Sequence, residues 1–398
     1  MPDLLRRAAR VFALGASLAA AALLAGCATP ADLRPEPTAA LIEGEAPSVV
    51  LPTRRCANYF LADVTINGRG PYAMLVDTGA SHTVVSARVA RDLEADATPM
   101  ALGAARGSQG RTQKIESLVR ARSLRAGALE LREFNAITLD LAGVQAALGT
   151  RLDGILGYNA FGGLLLTFDY PASEVRVARG ALPTPDGDRV LKLVSQERPE
   201  VVARVNGRPR TMLIDTGKAG AFTLSRFDRL DFLAPPADVS TGVAIGGSFV
   251  LRAGRLADDV TLGGVTFARP IVENSDSSDL IGAEALKPFV VTFDARRARV
   301  RLEGAPEPVT FPPVRGIGVG FEYTDQAWTV SDVFPGTPAE LAGLKRGDVV
   351  VRLAGKRLHE LSCTRQRDLF ATGDTIDVAV IRDRRRVNVT VPVITVVP

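Results

Sequence analysis

Apolar and polar residues alternate along most of this chain in short segments broken by Gly, Asn and Pro, a period-two pattern that predicts strands. Leu61-Ala-Asp-Val-Thr-Ile66 leads into an Asn67-Gly68 turn, and Tyr72-Ala-Met-Leu-Val76 returns from it to deliver Asp77. The same phrase is written again later. Val201-Val-Ala-Arg-Val205 runs into Asn206-Gly207, and Thr211-Met-Leu-Ile214 delivers Asp215. Further along, Asp153-Gly154-Ile155-Leu156-Gly157 is followed twelve residues later by Asp169 and then by Val175-Arg-Val177. Its counterpart, Asp279-Leu280-Ile281-Gly282, is followed twelve residues later by Asp294 and then by Val300-Arg-Leu302. Between these landmarks come Gly127-Ala-Leu-Glu-Leu131 in one copy and Gly263-Gly-Val-Thr-Phe267 in the other. Landmarks that keep their order predict two copies of one mostly β unit, residues 55–180 and 190–304, joined by a linker at 181–189.

One apolar run breaks the pattern. Residues 11–25 are small and apolar, follow Arg6, Arg7 and Arg10, and end in Leu24-Ala25-Gly26-Cys27. The run is shorter than the roughly 20 residues a spanning helix needs, so it predicts an export signal covering 1–26. The tetrad resembles a bacterial lipobox, which implies acylation of Cys27 and attachment to a lipid bilayer. Ala28 stands where an aspartate would imply retention at the inner membrane, so the expected location is the outer membrane, facing the periplasm. Residues 27–54, rich in Ala, Pro and Glu, predict a flexible tether.

Removing the signal takes three Arg and one Asp with it, lowering the formal charge from +4 to +2. No basic cluster is interleaved with aromatics, so no nucleic-acid partner is expected. Cys56 and Cys363 are far apart in sequence, and export permits a disulfide without specifying one. The only histidines are His82 and His359, and the chain holds no paired Cys and His motifs that would complete a metal-ligand set. A Ser-His-Asp arrangement finds little support, and neither a cofactor nor a metal is expected.

What remains is Asp-Thr-Gly, present at 77–79 and at 215–217. Hydrolysis of a peptide without metal or nucleophilic side chain needs one group to take a proton from water and another to give one to the carbonyl oxygen. Two carboxylates facing each other do both, because like charges at close range share a single proton. Gly79 and Gly217 allow a sharp turn behind each carboxylate and bring backbone N–H groups near it, which a Cβ would obstruct. Thr78 and Thr216 offer hydroxyls that can tie one lobe's loop to the other's backbone. Ile155-Leu156 and Leu280-Ile281 would pack beneath the two loops and hold the carboxylates in place.

At these residues the chain resembles the aspartic proteases, specifically the retropepsin-like ones. Leu75-Val76-Asp77-Thr78-Gly79-Ala80 and Leu213-Ile214-Asp215-Thr216-Gly217 are similar to the family's active-site loops. Gly154-Ile155-Leu156-Gly157 and Leu280-Ile281-Gly282 are similar to its hydrophobic-hydrophobic-Gly loops. The resemblance covers about 250 residues. It implies a two-lobed fold, water between Asp77 and Asp215, and an extended substrate under β-hairpin flaps. Candidate flaps are 101–113, with Gly103, Gly107 and Gly110, and 243–251, with Gly246 and Gly247. Because both half-sites lie in one chain, dimerisation is not required. Lys218 departs from the pattern set by Ala80, and its ammonium near the dyad would favour ionised carboxylate. Asp153, Asp169, Asp279 and Asp294 are expected to serve loop backbone N–H groups rather than catalysis.

The last ninety residues differ in character. Gly316-Ile-Gly-Val-Gly-Phe321, Trp328-Thr-Val330 and Pro335-Gly-Thr-Pro338 through Gly347-Asp348 resemble a PDZ domain over 312–398, as do strands at 375–381 and 387–391. The resemblance implies a groove that takes an extended peptide by strand addition. Gly318, Val319, Gly320 and Phe321 would receive its carboxylate, with a helix at about 361–370 beside it.

The expected architecture is therefore mostly β. It is a two-lobed pepsin/retropepsin-like fold made by internal duplication, followed by an α+β PDZ domain. The expected activity is an aspartic-type endopeptidase acting on extended or unfolded peptide segments. A noncatalytic peptide-binding adaptor that keeps the cleft is the alternative, with Lys218 as its main support.

Overall fold

Asp77 and Asp215 close two strands that occupy the same place in two nine-stranded sheets. The computed structural model describes residues 39–93, 97–99, 103–107, 109–304, 308–323, 327–361, 363 and 366–398. In the first sheet, Arg69–Asp77 lies between its hairpin partner Tyr59–Ile66 and the parallel strand Gly154–Gly157. In the second, Arg208–Asp215 lies between Glu200–Val205 and the parallel strand Leu280–Gly282. Register sets Gly157 beside Asp77 and Gly282 beside Asp215. Both hairpins turn on the expected Asn-Gly pairs, whose four residues all have positive φ, the conformation that suits the twist of the flanking strands.

A six-stranded sheet joins the two halves. Leu165–Asp169 from the first pairs antiparallel with Val290–Asp294 from the second, and Thr167 faces Thr292 with their hydroxyls 3.0 Å apart. Beneath the catalytic loops this sheet buries Phe168 and Phe293, which meet edge to face at 6.2 Å. Each such burial stabilises the fold by about 1.5–3 kcal/mol.

Two expectations need correction. Residues 39–54 are not part of a tether: Ala39–Ile42 pairs with Leu129–Leu139, Ser48–Val50 completes the joining sheet, and Thr53–Cys56 pairs with Tyr59–Ile66. Their composition concealed this, because the strands are short edge additions whose backbone bonds, with a few buried side chains such as Ile42 and Leu51, hold them. The helix expected at 361–370 is a 3-10 turn, Leu358–Leu361, and a short helix, Gln366–Leu369. The export signal and Cys27 lie outside the described residues.

The C-terminal unit is a sheet of Val319–Tyr323, Trp328–Val333, Val349–Leu353, Thr375–Arg382 and Arg385–Pro392 around Phe321, Val330, Val378 and Val391. It is fastened to both halves of the rest. Cys363 is disulfide-bonded to Cys56, and its N–H donates to Leu148 O at 2.9 Å. On the other side, Ser331 meets Thr241 at 3.0 Å, and Val397 packs on Ala253 and Ile271.

Candidate active site

The two Asp-Thr-Gly loops interlock at their threonines. Thr78 N–H donates to Thr216 Oγ1 at 3.0 Å and Thr216 N–H to Thr78 Oγ1 at 3.1 Å. Each hydroxyl then donates across the interface, Thr78 to Ile214 O at 2.7 Å and Thr216 to Val76 O at 3.0 Å. All four bonds are buried, so losing one hydroxyl strands two backbone groups in a place water does not reach. The local sequence dictates this arrangement: a strand end followed by a small hydroxyl residue places that hydroxyl one residue beyond each carboxylate.

The carboxyl groups of Asp77 and Asp215 come together across the interface, Asp215 against Gly79 and Asp77 against Gly217. Each also accepts from its own loop, Asp77 from Gly79 N–H at 2.7 Å and Asp215 from Gly217 N–H at 2.9 Å. Burial pushes the Asp77 carboxyl up, against the downward pull of those N–H groups and of Asp215. Burial, and next the charge of Asp77, push Asp215 well above the usual carboxylate range. A pair with these properties titrates as one unit and keeps one proton over a wide span of pH.

The glycines bring their N–H groups to the carboxylates as expected, and they also do something more. Gly79 and Gly217 do not need a left-handed backbone. A Cβ on Gly79 would stand 2.4 Å from the Asp215 carboxyl carbon, and a Cβ on Gly217 the same distance from that of Asp77. Each glycine is therefore the floor on which the opposite carboxylate rests. Gly157 and Gly282 act likewise one layer down, where a Cβ would meet His82 O and Gly220 O at 2.3 Å. Ile155, Leu156, Leu280 and Ile281 are buried beside them, with Gly154 under Val84 O.

The supporting carboxylates behave as loop anchors. Asp153 accepts from Ala73 N–H at 2.9 Å and pairs with Arg88 and Arg151, while Asp279 accepts from Ser225 N–H at 2.7 Å and pairs with Arg210. Asp169 caps Ala172 N–H and Asp294 caps Leu182 and Arg297 N–H. None of the four faces the dyad.

Both flap segments are hairpins, Ala104–Arg106 with Thr112–Lys114 and Ala237–Ala244 with Gly247–Arg255. Gly103 precedes the first, while Gly107, Gly110, Gly246 and Gly247 lie at the tips. The tips meet: a Cβ on Gly107 would lie 2.3 Å from Ile245 O, and Arg111 Nη1 donates to Ser248 O at 2.6 Å. Gln109 reaches the opposite half, donating to Asn274 O at 3.4 Å. Residues 101, 102 and 108 lie outside the described residues.

Three partners went unread in the sequence: Glu273, Asn58 and Gln109. Lys218 is ion-paired to Glu273, on the strand Ile271–Ser275, rather than to the dyad. Asn58 donates to Ala219 O and to Glu284 at 2.8 Å each, gripping the loop that carries Asp215. Gln109 ties a flap to the other half.

In the C-terminal unit Gly318 has φ +81°, and a Cβ there would stand 2.2 Å from Thr337. It leads into Val319–Tyr323, the terminal strand of its sheet, with Val319 and Phe321 in the core and Gly320 on the opposite face. Among the described residues no helix is long and apolar enough to cross a membrane.

Residues 62–160, which include Asp77 and the 154–157 loop, match the family model described as aspartyl protease. Residues 316–393 match the model of the PDZ domain. No curated protein matches the chain. The chain thus carries an aspartyl protease domain and a separate C-terminal PDZ domain, and its enzymatic class is that of an aspartic-type endopeptidase.

Proposed function

We propose that the chain is a membrane-anchored endopeptidase made by internal duplication, which cleaves extended or unfolded peptide segments with water held between Asp77 and Asp215. The observation that carries this reading is the meeting of two carboxyl groups delivered from opposite halves, each resting against the other half's glycine. In the resting state one carboxyl is protonated and the other ionised. As the ionised group takes a proton from water, the hydroxide equivalent attacks the scissile carbonyl and the protonated group gives its proton to the carbonyl oxygen. Collapse of the resulting diol returns a proton to the departing amine, and one shared proton remains. The glycine floors and the threonine lattice support this chemistry by fixing both carboxyls before substrate arrives.

The touching flap tips support binding of an extended chain beneath them, with flap opening as the entry step. The PDZ unit assists recognition, its Gly318–Phe321 segment receiving a peptide terminus. Cys27 is acylated and holds the enzyme on the outer membrane, facing the periplasm. The Cys56–Cys363 disulfide is consistent with an oxidising compartment of that kind. The adaptor reading loses weight, because the Lys218 charge lowers the proton affinity of Asp215 but is outweighed by burial and by Asp77.

The test is cleavage of a peptide library by a soluble form beginning at residue 28, beside its Asp77→Asn variant. A start beyond residue 39 would cut into the paired strand Ala39–Ile42. Cleavage by the parent and none by the variant is expected. Equal cleavage by both would remove the dyad from the chemistry, and binding of peptides without cleavage would leave only the adaptor.

A further inference from the structure

The two halves can be superposed position by position through their strand registers, and they part company at one wall of the cleft. Val84 pairs with Ile155 and with Ile137 in the first half, as Thr223 pairs with Leu280 and with Glu273 in the second. Ala80 and Lys218 also correspond: each is the third residue after its aspartate, and each carbonyl accepts one bond, from Tyr158 N–H at 2.8 Å and from Ala283 N–H at 2.7 Å. The trio Ala80, Val84 and Ile137 thus becomes Lys218, Thr223 and Glu273. Three apolar positions on one side are three polar positions on the other.

Several observations set this polar trio in the cleft. Lys218 follows the Asp215 loop directly and its charge is felt by the Asp215 carboxyl. Glu273 adjoins Asn274, whose carbonyl receives Gln109 from the flap of the first half. The pair therefore lies between the dyad loop and the opposite flap. On its strand Val272 points into the main core, so Glu273 stands on the other face, as Ile137 does beside the core residue Ala136. The Lys218 and Glu273 side chains are 19% and 15% exposed, which leaves them reachable. Thr223 adds a buried hydroxyl that finds no hydrogen-bond partner among the described residues.

Resting on the endopeptidase reading, we propose that Lys218 and Glu273 form a polar substrate subsite that selects a carboxamide side chain, Asn or Gln, while Ala80, Val84 and Ile137 form an apolar subsite on the opposite side of the scissile bond. An ammonium has three donors and a carboxylate several acceptor positions, so the ion pair leaves both kinds of capacity over. A carboxamide supplies the complementary acceptor and donors without net charge. A substrate carboxylate or ammonium would compete for one partner and leave the other uncompensated in a half-buried place. An apolar side chain would strip water from the pair and return nothing. The duplication has thus produced a cleft with a direction: peptides are read with one apolar and one amide-bearing residue, in a fixed order.

The test is a set of peptides with a fixed apolar residue on one side of the cut and Gln, Met, Glu or Lys on the other, in both orders. The wild type should favour Gln over Met by roughly 10- to 100-fold in kcat/KM in one order only. The double variant Lys218→Ala with Glu273→Ile, which gives the second half the residues of the first, should cleave the Met peptide better than the Gln peptide. Glu273→Gln, a conservative change that keeps the hydrogen-bonding capacity, should retain the Gln preference and accept Glu more readily. Equal wild-type rates for Gln and Met in both orders would overturn the subsite while leaving the protease standing, as would an unchanged preference in the double variant. A wild type that cleaves no peptide would overturn both.

Discussion

Asp77 and Asp215 sit on matching loops, yet their surroundings are built to different plans. Around both, the threonine lattice, the glycine floors and the hydrophobic-hydrophobic-Gly strands repeat with nearly the same distances. Outside that shell the halves diverge. The first half anchors its 153 carboxylate with two arginines and joins the PDZ unit by a disulfide; the second uses one arginine and joins it through a flap strand. Repetition stops where the chemistry no longer demands symmetry. A shared proton requires equivalent carboxyls, whereas a substrate has two different ends.

The strongest way to break this comparison is to remove one carboxyl. Asp77→Asn and Asp215→Asn should each lower kcat by roughly 10²- to 10⁴-fold, and by similar factors, since neither residue owns the proton. Stability should move the other way. Both carboxyls have folded-state pKa values above their unfolded ones, so their favourable contribution is complete at low pH and is lost as pH rises through the folded values. Each Asn variant should therefore unfold at a higher temperature than wild type at neutral pH, and the gap should close below about pH 4. Thermal scans across pH would check this, and a variant less stable at neutral pH would contradict it.

Next in size is the asymmetric fastening of the PDZ unit. Cys363→Ser removes the link to the first half, a bridge between residues 307 positions apart, and should cost about 2–4 kcal/mol in unfolding free energy. The contact of Thr241 with Ser331 on the second half should persist. Hydrogen exchange should then speed up around Cys56 and Leu148 more than in the flap strand Ala237–Ala244. Uniform loosening of both would mean that the two fastenings act as one.

The threonine lattice offers a finer check, because symmetry predicts equality. Thr78→Val strands Ile214 O and Thr216 N–H, and Thr216→Val strands Val76 O and Thr78 N–H. Each should cost about 1–3 kcal/mol in denaturant unfolding. A large difference between them would show that one loop leans on the other.

Much of this was legible in the residues. Asn-Gly turns, strands ending in Asp and the paired Ile-Leu-Gly motifs are local signals, and local signals survive in a sequence. The strands at 39–50 were not legible, since a short edge strand gains its order from a partner far along the chain and needs little pattern of its own. Part of the role of Gly79 and Gly217 was also hidden. The sequence suggests a turn, but the constraint is the carboxylate arriving from the other half, which no local rule contains. Glu273 was hidden for a third reason, namely that an ion partner on a neighbouring strand is defined by register. Asp169 and Asp294 were read correctly because their bonds to Ala172 and Arg297 lie within three residues, whereas the bond from Leu182, 112 residues from Asp294, left no local signal.

The smallest expected effect concerns the pH range of the dyad, and it separates the two members of the ion pair. The Lys218 charge favours ionisation of Asp215, and Glu273 offsets that charge. Lys218→Ala removes the favourable charge and leaves an unpaired carboxylate nearby, so both changes hold the shared proton more tightly. The alkaline limb of the kcat/KM profile should move to higher pH. Glu273→Gln leaves the ammonium uncompensated, so the same limb should move to lower pH. The double variant Lys218→Ala with Glu273→Ile should return close to the parent, because it restores the neutral surroundings that Asp77 has beside Ala80. Profiles measured on a peptide with apolar residues on both sides of the cut keep this readout apart from side-chain selection. If both single variants shifted the limb in the same direction, the pair would be acting through loop position rather than through charge, and the second half would owe its difference from the first to shape.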